Sequence, residues 1–168
     1  MDNNTLVIEP EKHGFTKEAV VITAKGKRSI QDVQRGDFVL THKNRFKKVY
    51  KTSKDINTTT VHTIRAVGLE PLQTTAGQMF LTKKSIVDSP AWVEARNIET
   101  DWYIGVPDKV DFELVDPKAY IDQMIWIKVK YSKGSDKNHS TTYTLSVEDD
   151  ESFIVNCYPA FTEDTWKK

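Results

Sequence analysis

The chain of 168 residues contains one cysteine, Cys157. No internal disulfide can form, so a covalent framework is excluded and a cytoplasmic setting is permitted. Hydrophobic runs are short, and none approaches the ~18 residues expected of a spanning helix. The opening residues, MDNNTLVIEPEKH, lack both a basic region and an apolar one. They are therefore not read as a secretory signal. Net charge is absent too: 24 Lys and Arg balance 24 Asp and Glu. Nucleic-acid binders usually keep a basic face, and this balance calls for none. His13, His42, His62 and His139 are scattered without ligand spacing, so neither a metal nor a cofactor is expected. No phosphate-cradling glycine loop and no internal repeat is visible.

The residues present describe a folded domain. Hydrophobic residues make up 38% and charged residues 29%, which excludes a disordered chain. The length suits one domain with its own core. Charge is unevenly placed: residues 1–84 hold 15 Lys/Arg against 8 Asp/Glu, and residues 85–168 hold 9 against 16. The two surpluses cancel if the halves interleave.

Period-2 alternation dominates, and turn residues recur every 8–12 positions. Strands are expected at 5–10, 19–24, 29–33, 38–42, 46–54, 58–67, 102–107, 124–132, 141–149 and 151–159. A strand, turn and strand are expected over 71–84. Residues 90–98 read as a short helix or turn, 116–126 as a helical turn entering a strand, and 133–140 as a polar loop. The fold class is all-β, with little helix.

Four blocks stand out: FTKEAVVITAKGKRSIQDVQRGDFVLTHKNRFKKV (15–49), TTAGQMFLT (74–82), WVEARNIETDWYIGVP (92–107) and YTLSVEDDESFIVN (143–156). Together they resemble the Hint superfamily, which comprises inteins and the Hedgehog autoprocessing domain. Their order and spacing fit that family. The resemblance implies a flattened, mostly β horseshoe with intertwined halves. It spans a domain of residues 14–161, with an extension at 1–13 and a tail at 162–168. The short segment between the last two blocks implies a mini-intein type without a homing-endonuclease insert.

The same resemblance makes the chemistry readable position by position. Gly14 stands where an intein carries its first Cys or Ser nucleophile, and glycine offers none. The hydroxyl of Thr16 lies two residues away, in a different register. Thr75 matches the second block, but Gln78 stands at its histidine, and an amide is no general acid near neutral pH. An ordinary turn pair is the expected role of Thr75 and Gln78. Thr144 stands where the fourth block carries a carboxylate. Phe161 and Thr162 stand at the terminal His-Asn pair. Asn156-Cys157 is a less favoured junction, since Asn156 aligns with the Asn of the FIVN strand. Cys157 is expected to be a small buried residue.

Lys43, Arg45, Lys47, Lys48, Lys51 and Lys54, with Phe46 and Tyr50 among them, offer a backbone-binding surface for nucleic acid. The favoured reading is the solvated face of an edge strand. VEDDE (147–151) reads as a solvated hairpin turn. The functional expectation is a Hint-like domain that has lost splicing and serves as a structural or protein-interaction module. It would act through a protein partner or self-association, without a membrane. Its setting is the cytoplasm or, following the resemblance, a bacteriophage virion. The alternative is a self-processing intein with short flanks.

Overall fold

The computed structural model describes residues 13–58, 61–107, 124–135 and 140–162. Alternation becomes strand throughout these residues. In chain order the strands are β1 (Val20–Thr23), β2 (Gly26–Ser29), β3 (Phe38–Leu40), β4 (Phe46–Thr58), β5 (Val61–Ala66), β6 (Leu72–Thr75) and β7 (Met79–Lys83). They continue as β8 (Ala91–Glu94), β9 (Tyr103–Pro107), β10 (Met124–Ser135), β11 (Ser140–Val147), β12 (Ser152–Val155) and β13 (Tyr158–Phe161). One antiparallel sheet holds them in the order β11-β4-β3-β1-β12-β13-β7-β9-β10-β5-β6, with β2 beside β1 and β8 beside β7. The pleat explains the burial: Phe80 and Thr82 of β7 point inward, and Met79, Leu81 and Lys83 do not.

The halves of the chain interleave, since β1 pairs with β12 and β10 with β5. Basic and acidic surpluses therefore meet, as in the Lys47–Asp149 pair at 2.9 Å. The core centres on aromatic edge-to-face contacts. Phe15 lies 6.1 Å from Phe80 and 5.6 Å from Phe153 between ring centroids. Phe80 in turn meets Tyr158. Tyr158 is fully buried, and its hydroxyl donates to the Glu70 carbonyl and accepts the Ala66 N–H. Burial pushes its pKa up to about 12, so it stays a neutral tether.

The two ends of the sheet path, β11 and β6, meet across a single residue. Phe15 bridges Tyr143 on one side and Thr74 on the other. Its N–H donates to the Tyr143 carbonyl at 2.8 Å and its carbonyl accepts the Tyr143 N–H at 2.7 Å. Residues 14–16 thus act as a closing segment that leaves neither end strand open there.

Several local expectations need correction. Residues 29–33 are not a strand: Ile30–Asp32 form one 3-10 turn, which buries Ile30. Residues 90–98 hold β8 before a 3-10 turn at Ala95–Asn97, because pairing with β7 extends Ala91–Glu94. β4 is not an edge strand, since it lies between β11 and β3, and it runs to Thr58. The polar loop at 133–140 is shorter, with β10 reaching Ser135 and β11 starting at Ser140. The expectations at 5–10 and 116–123, and His139, lie outside the described residues.

Candidate functional site

The closing segment brings the first, second and last blocks together. The Gly14 carbonyl accepts two bonds from β6: the Thr75 N–H at 2.9 Å and the Thr74 hydroxyl at 2.9 Å. On its other side Gly14 presses against β11. A Cβ at this position would lie 3.1 Å from the Thr142 Cβ, 3.2 Å from its Oγ1 and 3.3 Å from the Tyr143 carbonyl oxygen. These are tighter than ordinary contacts, so any side chain here displaces a neighbour by a few tenths of an ångström. The close approach follows from Gly14 lying between two strands, and it explains glycine here better than backbone conformation does.

Gln78 is more than half of a turn pair. Its N–H does close a turn on the Thr75 carbonyl at 3.2 Å. Its side chain, however, is fully buried, and Nε2 donates to the Met79 carbonyl at 3.1 Å and the Phe161 carbonyl at 2.8 Å. The amide therefore ties β7 to the end of β13. Its Oε1 is buried without a partner. The Thr162 Oγ1 is buried without a partner as well, while the Thr162 N–H donates to the Glu151 carbonyl at 2.8 Å. Phe161 packs against Trp92 at 5.1 Å and faces His13 at 6.4 Å.

Gly14, Thr75, Gln78 and Thr162 thus share one hydrogen-bonded region reaching from β6 to the end of β13. Thr144 sits further along β11, half-buried and opposite Ser53 of β4, and the β11 side chain that reaches Gly14 is that of Thr142. Thr142 and Thr74 were not legible as site residues, because neither matches a motif. Thr16 is buried, with its N–H on the Gln73 carbonyl at 3.4 Å.

Asn156 and Cys157 form the two-residue turn between β12 and β13, with φ of 48° and 76°. Asparagine tolerates this conformation and supports it, as Oδ1 accepts the Val20 N–H at 2.7 Å. Cys157 is half-exposed at the hairpin tip, not buried as expected.

Part of the basic run meets the acidic turn, while Lys43, Lys48, Lys51 and Lys54 stay exposed. Asp150, expected to be solvated, has a fully buried side chain. Its Oδ2 accepts from the Thr41 hydroxyl at 2.6 Å and from Arg45 Nε at 2.9 Å, and its Oδ1 accepts from Arg45 Nη2. Lys43 stands 3.9 Å away. Burial pushes the Asp150 carboxyl up, but the Arg45 and Thr41 bonds outweigh it and hold the group below the usual carboxylate range. Beside this clamp, His42 lies 2.6 Å by Nδ1 from the Ser152 Oγ, which also accepts the His42 backbone N–H. Burial lowers the His42 pKa, Asp150 raises it, and Lys43 and Arg45 lower it again; the net direction is down. Arg45, Lys47 and Lys43 therefore face the chain's own carboxylates, and Lys54 lies over the Tyr143 ring. Among the described residues no three of His, Cys, Asp and Glu converge as a metal site.

Solved structures supply the comparison. The chain superposes on a DnaB intein from Synechocystis sp. PCC 6803 with a TM-score of 0.72 at 14% identity, covering 90% of this chain and 99% of that one. The chain has the intein fold. The same fold relates it to the bacterial intein-like domain from Clostridium thermocellum, with a TM-score of 0.66 at 18% identity over 89% and 98% of the two chains. The DnaX mini-intein from Spirulina platensis gives 0.67 at 18% identity over 90% and 100%. No family model matches the chain, and no curated protein matches it in sequence. The intein fold nevertheless accounts for the order of the four blocks, the curled all-β sheet and the interleaved halves.

Proposed function

We propose that this intein-fold domain has lost protein splicing and serves as a structural or protein-interaction module. The observation that carries this reading is the packing at Gly14. The position of the first nucleophile holds no side chain, and a Cβ there would meet Thr142 and the Tyr143 carbonyl at 3.1–3.3 Å. Acyl shift requires a thiol or hydroxyl at this point. The rest of the region agrees. Gln78 spends both amide hydrogens on backbone carbonyls, so it braces the fold and has no proton to lend. Phe161 and Thr162 supply neither an imidazole nor a carboxamide that could cyclise. The virion setting remains an expectation drawn from the family resemblance.

The test is intact mass. The 168 residues are placed between two folded reporter proteins and incubated at neutral pH with and without a thiol. A single unchanged precursor is expected. A second precursor carrying Gly14→Cys is expected to stay unligated too, because the other groups are absent. A ligated product, or scission at one defined bond, overturns the reading.

A further inference from the structure

We infer that the slot between β11 and β6 is a strand-exchange site, and that its partner is the closing segment of a second copy of this chain. The inference rests on the interaction-module reading and names the partner. Elsewhere along the described sheet path each strand is flanked by partners; at this slot the two end strands meet only through the closing segment. Withdrawal of that segment would leave two adjacent edges and an aromatic hole, the arrangement that templates strand addition.

The slot is specific. It receives Gly14 where a Cβ would press on Thr142 at 3.1 Å, Phe15 between Phe80 and Phe153, and an extended backbone bonded on both sides. The sequence that satisfies these demands is the chain's own, so a second copy carries a matching insert. The hinge is short. Lys17 and Glu18 are exposed, and one turn bond from the Ala19 N–H to the Thr16 carbonyl folds the segment back. The Ser29 hydroxyl braces the Lys17 carbonyl at 2.9 Å. Opening that turn redirects residues 14–16 to a neighbour, where every slot contact re-forms.

The test mixes two full-length variants, both carrying Cys157→Ser. One carries Thr16→Cys and the other Gln73→Cys, at positions that face each other one step beyond the Phe15–Thr74 bridge. The mixture is unfolded in denaturant, refolded at several concentrations and oxidised. Exchange predicts a disulfide heterodimer whose fraction rises about tenfold per tenfold concentration while it is the minor species, by mass action. Adding Lys17→Pro to both chains pre-sets the second residue of the hinge turn and is expected to lower the yield at least severalfold. A single chain carrying both cysteines must cross-link within itself, which verifies the geometry and folding. If it does so and no heterodimer forms at any concentration, the inference fails. Failure of exchange leaves the intact-mass result untouched, so the two readings fall separately.

Discussion

The closing-segment region and the Asp150 clamp are built from opposite materials. The first gathers Gly14, Thr75, Gln78 and Thr162, all neutral, and leaves two buried oxygens without partners. The second gathers Thr41, Arg45, Lys43 and Asp150, and the buried carboxylate accepts three short bonds. The first region is held by packing and backbone bracing. Charge pairing is instead concentrated, among the described residues, in a clamp with a buried carboxylate that joins the 41–45 turn to the 148–151 turn. Perturbed groups are often functional, but Asp150 is held by cations on its own fold and has a structural explanation.

The comparison breaks most easily at Phe15. Phe15→Ala removes the aromatic anchor and the closure together, and a loss of about 4 kcal/mol is expected in urea unfolding. A loss under about 1 kcal/mol would mean that the ring ends do not depend on the segment. Asp150→Asn comes next. It strips the charge from a buried pair, so about 2–3 kcal/mol is expected; the value stays modest because Arg45 is 31% exposed and regains solvation. Thr162→Val runs the other way. Replacing an unpartnered buried hydroxyl with a methyl should stabilise the fold by about 0.5–1 kcal/mol. A destabilisation would show that the hydroxyl has a partner, such as an ordered water.

The smallest effect separates the regions by pH. The folded pKa of His42 is lowered by burial, and so is that of His62. The unfolded chain then binds their protons first. Their contribution is present above the unfolded value of about 6.5 and is lost as pH falls below it. Asp150 is lost in the same direction but in a lower window: its folded pKa is lowered, so its contribution is present above the unfolded carboxylate value and is lost as pH falls through the folded one. Denaturant midpoints between pH 7.5 and 5 should therefore fall; His42→Gln should reduce that fall, and Asp150→Asn should enlarge it, because it removes the carboxylate that raises the His42 pKa. An identical slope in the His42 variant would place the titration elsewhere.

Much of the fold was legible in the alternation of β5 and β7, because one face of each strand is buried. The missed elements were those settled by distant pairing. Ala91–Glu94 is too short to show an alternation of its own and extends because β7 lies beside it. The VEDDE turn looks uniformly wet, yet Asp150 is buried because Arg45, far earlier in the chain, reaches it. Likewise Gly14, Thr75, Gln78 and Thr162 could be aligned by motif, but the pressure of Thr142 on Gly14 comes from a strand pairing that no local pattern announces.

Phe15 also sets a schedule. Its bridge joins residue 15 to residue 143, so one partner leaves the ribosome long after the other. At ~5–20 residues per second the aromatic ring waits on the order of ten seconds for Tyr143. The circle is therefore among the last features of the fold to be sealed. On a crowded polysome, neighbouring nascent chains would wait with the same ring unhoused, and in that interval each has an insert to offer before it has a slot to fill.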